Sequence, residues 1–264
     1  MDTVTRGPGS ARRTGGTLAE SARTTGGALA GNARRSGGAL DAGGGVAGDA
    51  LIVEVAPGVW VAQGSRDRWR RAEPHPDDLA RAAALPQWRA AEFLAGRALL
   101  RHLLRATVPE LAGEPVVAGE RGRPLLAGAP GTGVSVSHDG DAVAAAVAPR
   151  RRVGVDVQLP PARPSDALLR RCLGAHADAV LTLPEARRAA ELAWVWTAQE
   201  SCVKAAGTGL SDRPWTIDVP PGARRGRWRD YAWTSLRTLS RTPLSCAFSA
   251  PEDASDATWE TPCS

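Results

Sequence analysis

Apolar residues run through Ile52-Val53-Glu54-Val55-Ala56 and again through Val59-Trp60-Val61-Ala62, with Pro57-Gly58 between them. β-branched runs split by a turn signal predict a hairpin or two short strands. From Pro76 to about Leu104 the spacing lengthens to three and four residues, and Phe93–Arg101 carries an apolar stripe. That spacing predicts a helix broken at Pro86. After a Pro/Gly-rich stretch from Val116 to Gly133, Val134–His138 and Asp141–Val147 flank the turn dipeptide Asp139-Gly140 and predict a second hairpin. Arg150–Arg152 separates it from one more strand, Val153–Val157. Helical patterning then covers Ser165–Leu173 and Glu185–Ala206, stopped by Gly207–Gly209, and strand-like runs follow at Trp215–Val219, Tyr231–Leu239 and Leu244–Ser249. Strands plus a long helix, twice over, predict an α+β fold of two similar halves related by pseudo-twofold symmetry.

The first 44 residues break this pattern. They hold a loose eleven-residue repeat starting at Arg12, Arg23 and Arg34, with paired glycines and one sizeable apolar residue per copy. Such a repeat buries too little to offset chain entropy, so residues 1–48 are expected to be a disordered tail. Two halves follow, at 49–150 and 151–264.

Charge points the same way. The net charge is +5, but six arginines against three acids place +3 of it in residues 1–48 and only +2 elsewhere. A near-neutral body argues against nucleic acid as the partner. The four cysteines, Cys172, Cys202, Cys246 and Cys263, form no C-x-x-C pair, which fits reduced thiols. No apolar run approaches a membrane span and the start lacks a secretory h-region, so a soluble, cytoplasmic protein is expected.

Lysine usage narrows the search for chemistry. Of 33 basic residues only Lys204 is lysine. Guanidinium and ammonium differ chemically, so a lone lysine marks a position where an ammonium is needed or one that has survived by chance. Glu200 stands four residues before it on an otherwise apolar helix, which puts both side chains on one face. Asp156 is flanked by valines in a strand, where an unpaired carboxylate is costly, and strand alternation places Gln158 on its face. An acid and an amide side by side suit a hard cation such as Mg2+. A capping role or pairing with the nearby arginines is the plainer reading of Asp156. Ser137 and His138 end a strand just before a tight turn, while His75, His102 and His176 read as structural or solvent-facing. The Walker phosphate loop, H-E-x-x-H and G-x-S-x-G signatures are all absent.

Taken in order, these pieces resemble the larger type of 4′-phosphopantetheinyl transferase, which activates surfactin or enterobactin synthetases. The matching motifs are Phe93-Leu94-Ala95-Gly96-Arg97, Gly122-Arg123-Pro124, Ser137-His138, Gly154-Val155-Asp156-Val157-Gln158, and Trp196–Lys204 running into Gly207-Thr208-Gly209-Leu210. The resemblance spans about residues 50–250. It implies that coenzyme A lies between the halves, with Mg2+ or Mn2+ held by Asp156, Gln158 and Glu200. It also implies that Lys204 contacts phosphate, that Arg123, Ser137 and His138 engage the nucleotide and pyrophosphate, and that Arg81 reaches the 3′-phosphate. Glu200 would deprotonate the serine of an apo acyl or peptidyl carrier protein, with Asp156 and Lys204 sharing the catalytic work and 3′,5′-ADP leaving. The carrier could serve fatty-acid, polyketide or non-ribosomal peptide synthesis, and a monomer suffices if one chain holds the whole site. Two positions depart from the family pattern: Gln158 replaces a frequent glutamate, and Gln199 a frequent lysine, removing a cationic contact. A non-catalytic module binding coenzyme A or a carrier protein is the alternative these departures raise.

Overall fold

The computed structural model describes residues 34–35 and 50–251. Most of the repeat tail and Cys263 therefore lie outside the described residues. Two antiparallel sheets organise the chain. In the first, β1 (Arg34–Arg35), β2 (Leu51–Ala56), β3 (Val59–Ser65), β6 (Thr132–Asp139) and β7 (Ala142–Pro149) lie in the order β1-β2-β3-β7-β6. In the second, β8 (Val153–Val157), β9 (Arg225–Trp228), β10 (Tyr231–Ser235) and β11 (Leu244–Ser249) lie in the order β8-β11-β10-β9. A two-stranded ribbon of β4 (Val116–Ala118) and β5 (Pro124–Leu126) stands apart from both.

Each half contains the same unit. β3 leads into the long helix α3 (Gln87–Thr107) and then the β6–β7 hairpin, whose second strand pairs back onto β3. β8 leads into the long helix α6 (Glu185–Ala206) and then the β10–β11 hairpin, whose second strand pairs back onto β8. The α+β architecture expected from the pattern is present as this repeated strand–helix–hairpin.

Strand alternation sorts the side chains into layers. Val53, Val55, Val59, Val61, Ala144, Ala146 and Ala148 from the first sheet meet Val153, Val155, Val157, Leu244, Cys246 and Phe248 from the second in one shared core. The opposite face of the first sheet, with Val143, Ala145 and Val147, packs on Leu99, Leu100, Leu103 and Leu104 of α3. The opposite face of the second packs α6 through Leu192, Val195, Ala198 and Val203 against Trp233 and Ala247.

Helix limits follow the sequence signals closely. α2 (Pro76–Ala82) is separate from α3 because Pro86 intervenes, and α4 (Asp166–Leu173) starts where the Ser165 hydroxyl accepts from Leu168 N at 3.2 Å. Gly207 ends α6 in the left-handed region at φ 76°, the usual glycine stop. Two further short helices, α1 (Arg66–Trp69) and α5 (Ala177–Leu181), complete the α-helices among the described residues.

The strand expected at Trp215–Val219 does not form. Pro214–Thr216 is a 3-10 turn, and Ile217 and Val219 are buried beside α6 without pairing. The run from Tyr231 ends as a strand at Ser235. β9 carries no sequence signal, since Arg225-Gly226-Arg227 reads as solvated surface. It pairs there because Gly226 has no side chain to strike the Trp233 ring, which a Cβ would approach to 2.6 Å.

Candidate functional site

The two sheets also meet along their edges, β6 against β8, and the site grows out of this seam. Neither edge completes a backbone ladder with the other. Instead, every second side chain from Ser135 to Asp139 on β6 accepts an N–H from β8 or the residues just after it. Ser135 Oγ takes Val155 N at 3.1 Å, Ser137 Oγ takes Val157 N at 3.3 Å, and Asp139 Oδ2 takes Leu159 N at 2.7 Å. Gly133 lets the strands approach, because a Cβ there would fall 2.2 Å from Arg151 O.

Asp156 leaves β8 on the side away from the valine core, toward α6, and is fully buried. Its Oδ1 receives Lys204 Nζ at 2.6 Å and Ser137 Oγ at 2.7 Å, and Lys204 Nζ also donates to Ser137 Oγ at 2.9 Å. The Ser137 hydroxyl thus donates once and accepts twice, which exhausts its capacity within the protein. It secures Asp156 and Lys204 and leaves no lone pair for a phosphate in this arrangement. Lys204 is correspondingly engaged in a buried ion pair, its side chain 2% exposed.

Glu200 lies one helical turn before Lys204 and is buried at 1% exposure. Its carboxyl is pushed up to about 8, first by burial and then by the Asp156 charge, with Lys204 opposing. Asp156 is also raised by burial, against the pull of Lys204 and Ser137. Two acids resisting ionisation in one buried place mark a site short of positive charge.

The unpartnered atoms test whether a cation fits. Asp156 Oδ2, Glu200 Oε1 and Gln158 Oε1 are all buried without a hydrogen-bond partner, an uncommon condition for side-chain oxygens. Three orphaned oxygens from carboxylates and an amide form a hard donor set of the kind Mg2+ takes, so the residues fit the group. Among the described residues there is no cluster of three His, Cys, Asp or Glu, so the set depends on the Gln158 amide as its third member.

The remaining expected residues spread outward from this centre. His138 Nδ1 stands 3.8 Å from Glu92 Oε2, and burial lowers the imidazole pKa against the pull of that carboxylate. Arg123 follows the β4–β5 turn and reaches the end of α6, its guanidinium 3.8 Å from where a Gly207 Cβ would stand. Arg81 is on the exposed side of α2, close enough to buried Arg97 to help lower its pKa to about 10, after burial itself. Gln199 does not face the cleft as a replaced phosphate contact. It is 1% exposed, and its Nε2 donates to the carbonyls of Cys172 at 2.8 Å and Ile217 at 2.9 Å, tying α4 and the chain after the Pro214 turn to α6. A lysine pointing this way would meet two carbonyls and no anion.

Two site residues escape sequence reasoning. Asp139 reads as the first half of a turn, and only the spacing of Ser135, Ser137 and Asp139 hints at a shared strand face. Arg121, at φ 52°, donates to the carbonyls of Gly207 at 3.0 Å and Thr208 at 3.3 Å, fastening the β4–β5 loop to the negative end of α6. Nothing in the sequence distinguishes it from its neighbours. The other histidines are structural: His75 accepts from Asp77 N, His102 lies against the Trp69 ring, and His176 pairs with Asp218.

Comparison with known proteins identifies the family. Residues 152–242 match the model of the 4′-phosphopantetheinyl transferase superfamily, and residues 75–148 match that of the 4′-phosphopantetheinyl transferase N-terminal domain. The chain is 33% identical over 141 residues to the 4′-phosphopantetheinyl transferase AcpT of Escherichia coli O157:H7, covering 52% of this chain and 67% of the relative. It is 38% identical over 140 residues to the AcpT of Salmonella typhimurium, covering 50% of this chain and 66% of that one. The chain thus spans about two thirds of the length of these relatives. The superfamily match contains every residue from Asp156 to Lys204, and the chain belongs to the 4′-phosphopantetheinyl transferase superfamily of enzymes.

Proposed function

We propose that this protein transfers the 4′-phosphopantetheine arm of coenzyme A to a serine hydroxyl of an apo acyl or peptidyl carrier protein. The observation that carries the reading is that Asp156, Gln158 and Glu200 each bury an oxygen without a partner, while Lys204 pairs with Asp156. Asp156, Gln158 and Glu200 would hold Mg2+, whose charge offsets that of the pyrophosphate. Glu200 takes the proton from the carrier serine as an ionised carboxylate. Burial raises its carboxyl to about 8 in the metal-free chain, and a bound cation would bring it back down. The serine oxygen forms a bond to the β-phosphorus, the bond to the departing phosphate breaks, and 3′,5′-ADP leaves. Lys204, released from Asp156, donates to the departing phosphate oxygen, a task for a compact ammonium. Arg123 and His138 lie on the nucleotide side, and Arg81 meets the 3′-phosphate at the outer rim. Burial keeps Asp156 and Glu200 from water until substrate arrives.

The two halves contribute to this one cleft within a single chain, which supports action as a monomer. No helix among the described residues is long and apolar enough to cross a membrane. Intact-mass spectrometry of apo carrier proteins incubated with coenzyme A and Mg2+ tests the reading. A gain of one phosphopantetheine arm, abolished by EDTA and by Glu200→Ala, is expected. Coenzyme A binding with no mass gain on any carrier would leave a binding module in its place.

A further inference from the structure

Gln158 is 2% exposed, and the two ends of its amide face different surroundings. The nitrogen donates to Asp139 Oδ2 and stands 3.5 Å from the Leu159 carbonyl. The oxygen, Oε1, is buried with no partner. A carboxylate and a carbonyl can only accept, so a flipped amide would set its oxygen against two others. The neighbours, and not the glutamine, decide which way the amide turns. Asp139 is itself fixed at the end of β6, because Leu159 N donates to the same Oδ2 at 2.7 Å.

We propose that Asp139 is a positioning residue: it holds the Gln158 amide nitrogen so that Oε1 faces the Asp156 side of the cleft, which makes a glutamine serve as the third oxygen donor. The inference rests on the metal-binding reading above and concerns only how this chain completes the donor set. Positions 139 and 158 are then a matched pair. An aspartate beside a glutamine makes a hydrogen bond, whereas an aspartate beside a glutamate would press two carboxylates together in a buried place. Gln158 is in this view the residue that Asp139 requires, and restoring glutamate alone would not improve the site.

The test is Mn2+ binding to the full chain, followed by the electron paramagnetic resonance of free Mn2+, in a double-mutant cycle of Asp139→Asn and Gln158→Glu. The Asp139→Asn change keeps an oxygen for Leu159 N and offers an amide to a glutamate at position 158. On its own, Gln158→Glu is expected to leave Mn2+ affinity unchanged or weaker. Combined with Asp139→Asn, it is expected to tighten affinity about tenfold or more. The same tightening in both backgrounds would overturn the inference. Asp156→Asn separates the two layers of argument, since unchanged Mn2+ affinity in that variant would defeat the metal-site reading whatever the cycle shows. A second readout needs neither metal nor variant folding. The side-chain NH2 of Gln158 in wild-type protein should give two distinct, slowly exchanging nitrogen–proton NMR signals. Signals that exchange as freely as those of a surface glutamine would show that Asp139 does not hold the amide.

Discussion

Glu200 is the residue with the most to say about pH. Its carboxyl titrates near 8 in the folded chain against an ordinary value of 4.5, so the folded state holds a proton that the unfolded chain has released. The stability this proton supports is complete below pH 4.5, erodes as pH rises through the interval, and is gone above about 8. Asp156 is shifted in the same direction. Thermal unfolding of the metal-free protein should therefore move to lower temperature between about pH 5.5 and 8.5, less so in Glu200→Gln. Added Mg2+ at the upper end should restore the wild type but not Glu200→Gln; equal responses would show that the charge deficit lies elsewhere. Lys204 separates stability from turnover. Lys204→Met leaves the Asp156 carboxylate buried without its counter-charge, which costs about 3–5 kcal/mol by chemical denaturation. Lys204→Arg keeps the charge, yet should lose transfer rate by about 100-fold or more, because a forked guanidinium cannot take the place of an ammonium between Asp156 and Ser137.

Among elements, the β6–β8 seam governs the rest. Ser135→Ala leaves Val155 N–H buried with no acceptor, a loss of about 1–3 kcal/mol in a urea titration. Gly133→Ala drives a Cβ into the Arg151 carbonyl and should destabilise by a similar amount, about 1–3 kcal/mol, through overpacking. Unaltered midpoints in both variants would mean that the edges can part without cost. The elements on either side of this seam are legible in the sequence. Valine alternation in β8 puts Asp156 and Gln158 on one face, Pro86 separates α2 from α3, and the i, i+4 spacing pairs Glu200 with Lys204. That the serines of β6 point at the backbone of β8 is not legible, since a hydroxyl bonded to a distant N–H leaves no local periodicity. Gln199 is the mirror case: a position read as facing the cleft turns inward, because α6 is buried on nearly every side and its polar residues have several directions in which to find a partner. β9 is hidden for a third reason, namely that its pairing depends on a tryptophan ring lying over Gly226 and not on its own side chains.

At the scale of the molecule, the shared core between the sheets decides how the halves behave. Val53, Val61 and Ala146 on one side and Val155, Cys246 and Phe248 on the other would all be bared if the halves parted. Each half also has a core of its own, where its sheet packs on its own long helix, but parting the halves would strip the opposite face of both sheets. Calorimetry should therefore find one cooperative transition, and residues 50–150 or 151–251 expressed alone should aggregate or stay unfolded. Two separated transitions would show that the repeated unit is a domain in its own right. The solitary lysine has a practical consequence at this scale. With a single ε-amino group in 264 residues, and that one paired and 2% exposed, the protein carries its own silent label site. An amine-reactive reagent should modify Lys204 slowly, and faster whenever Asp156 lets go, so acylation of one side chain becomes a clock for the opening of the cleft.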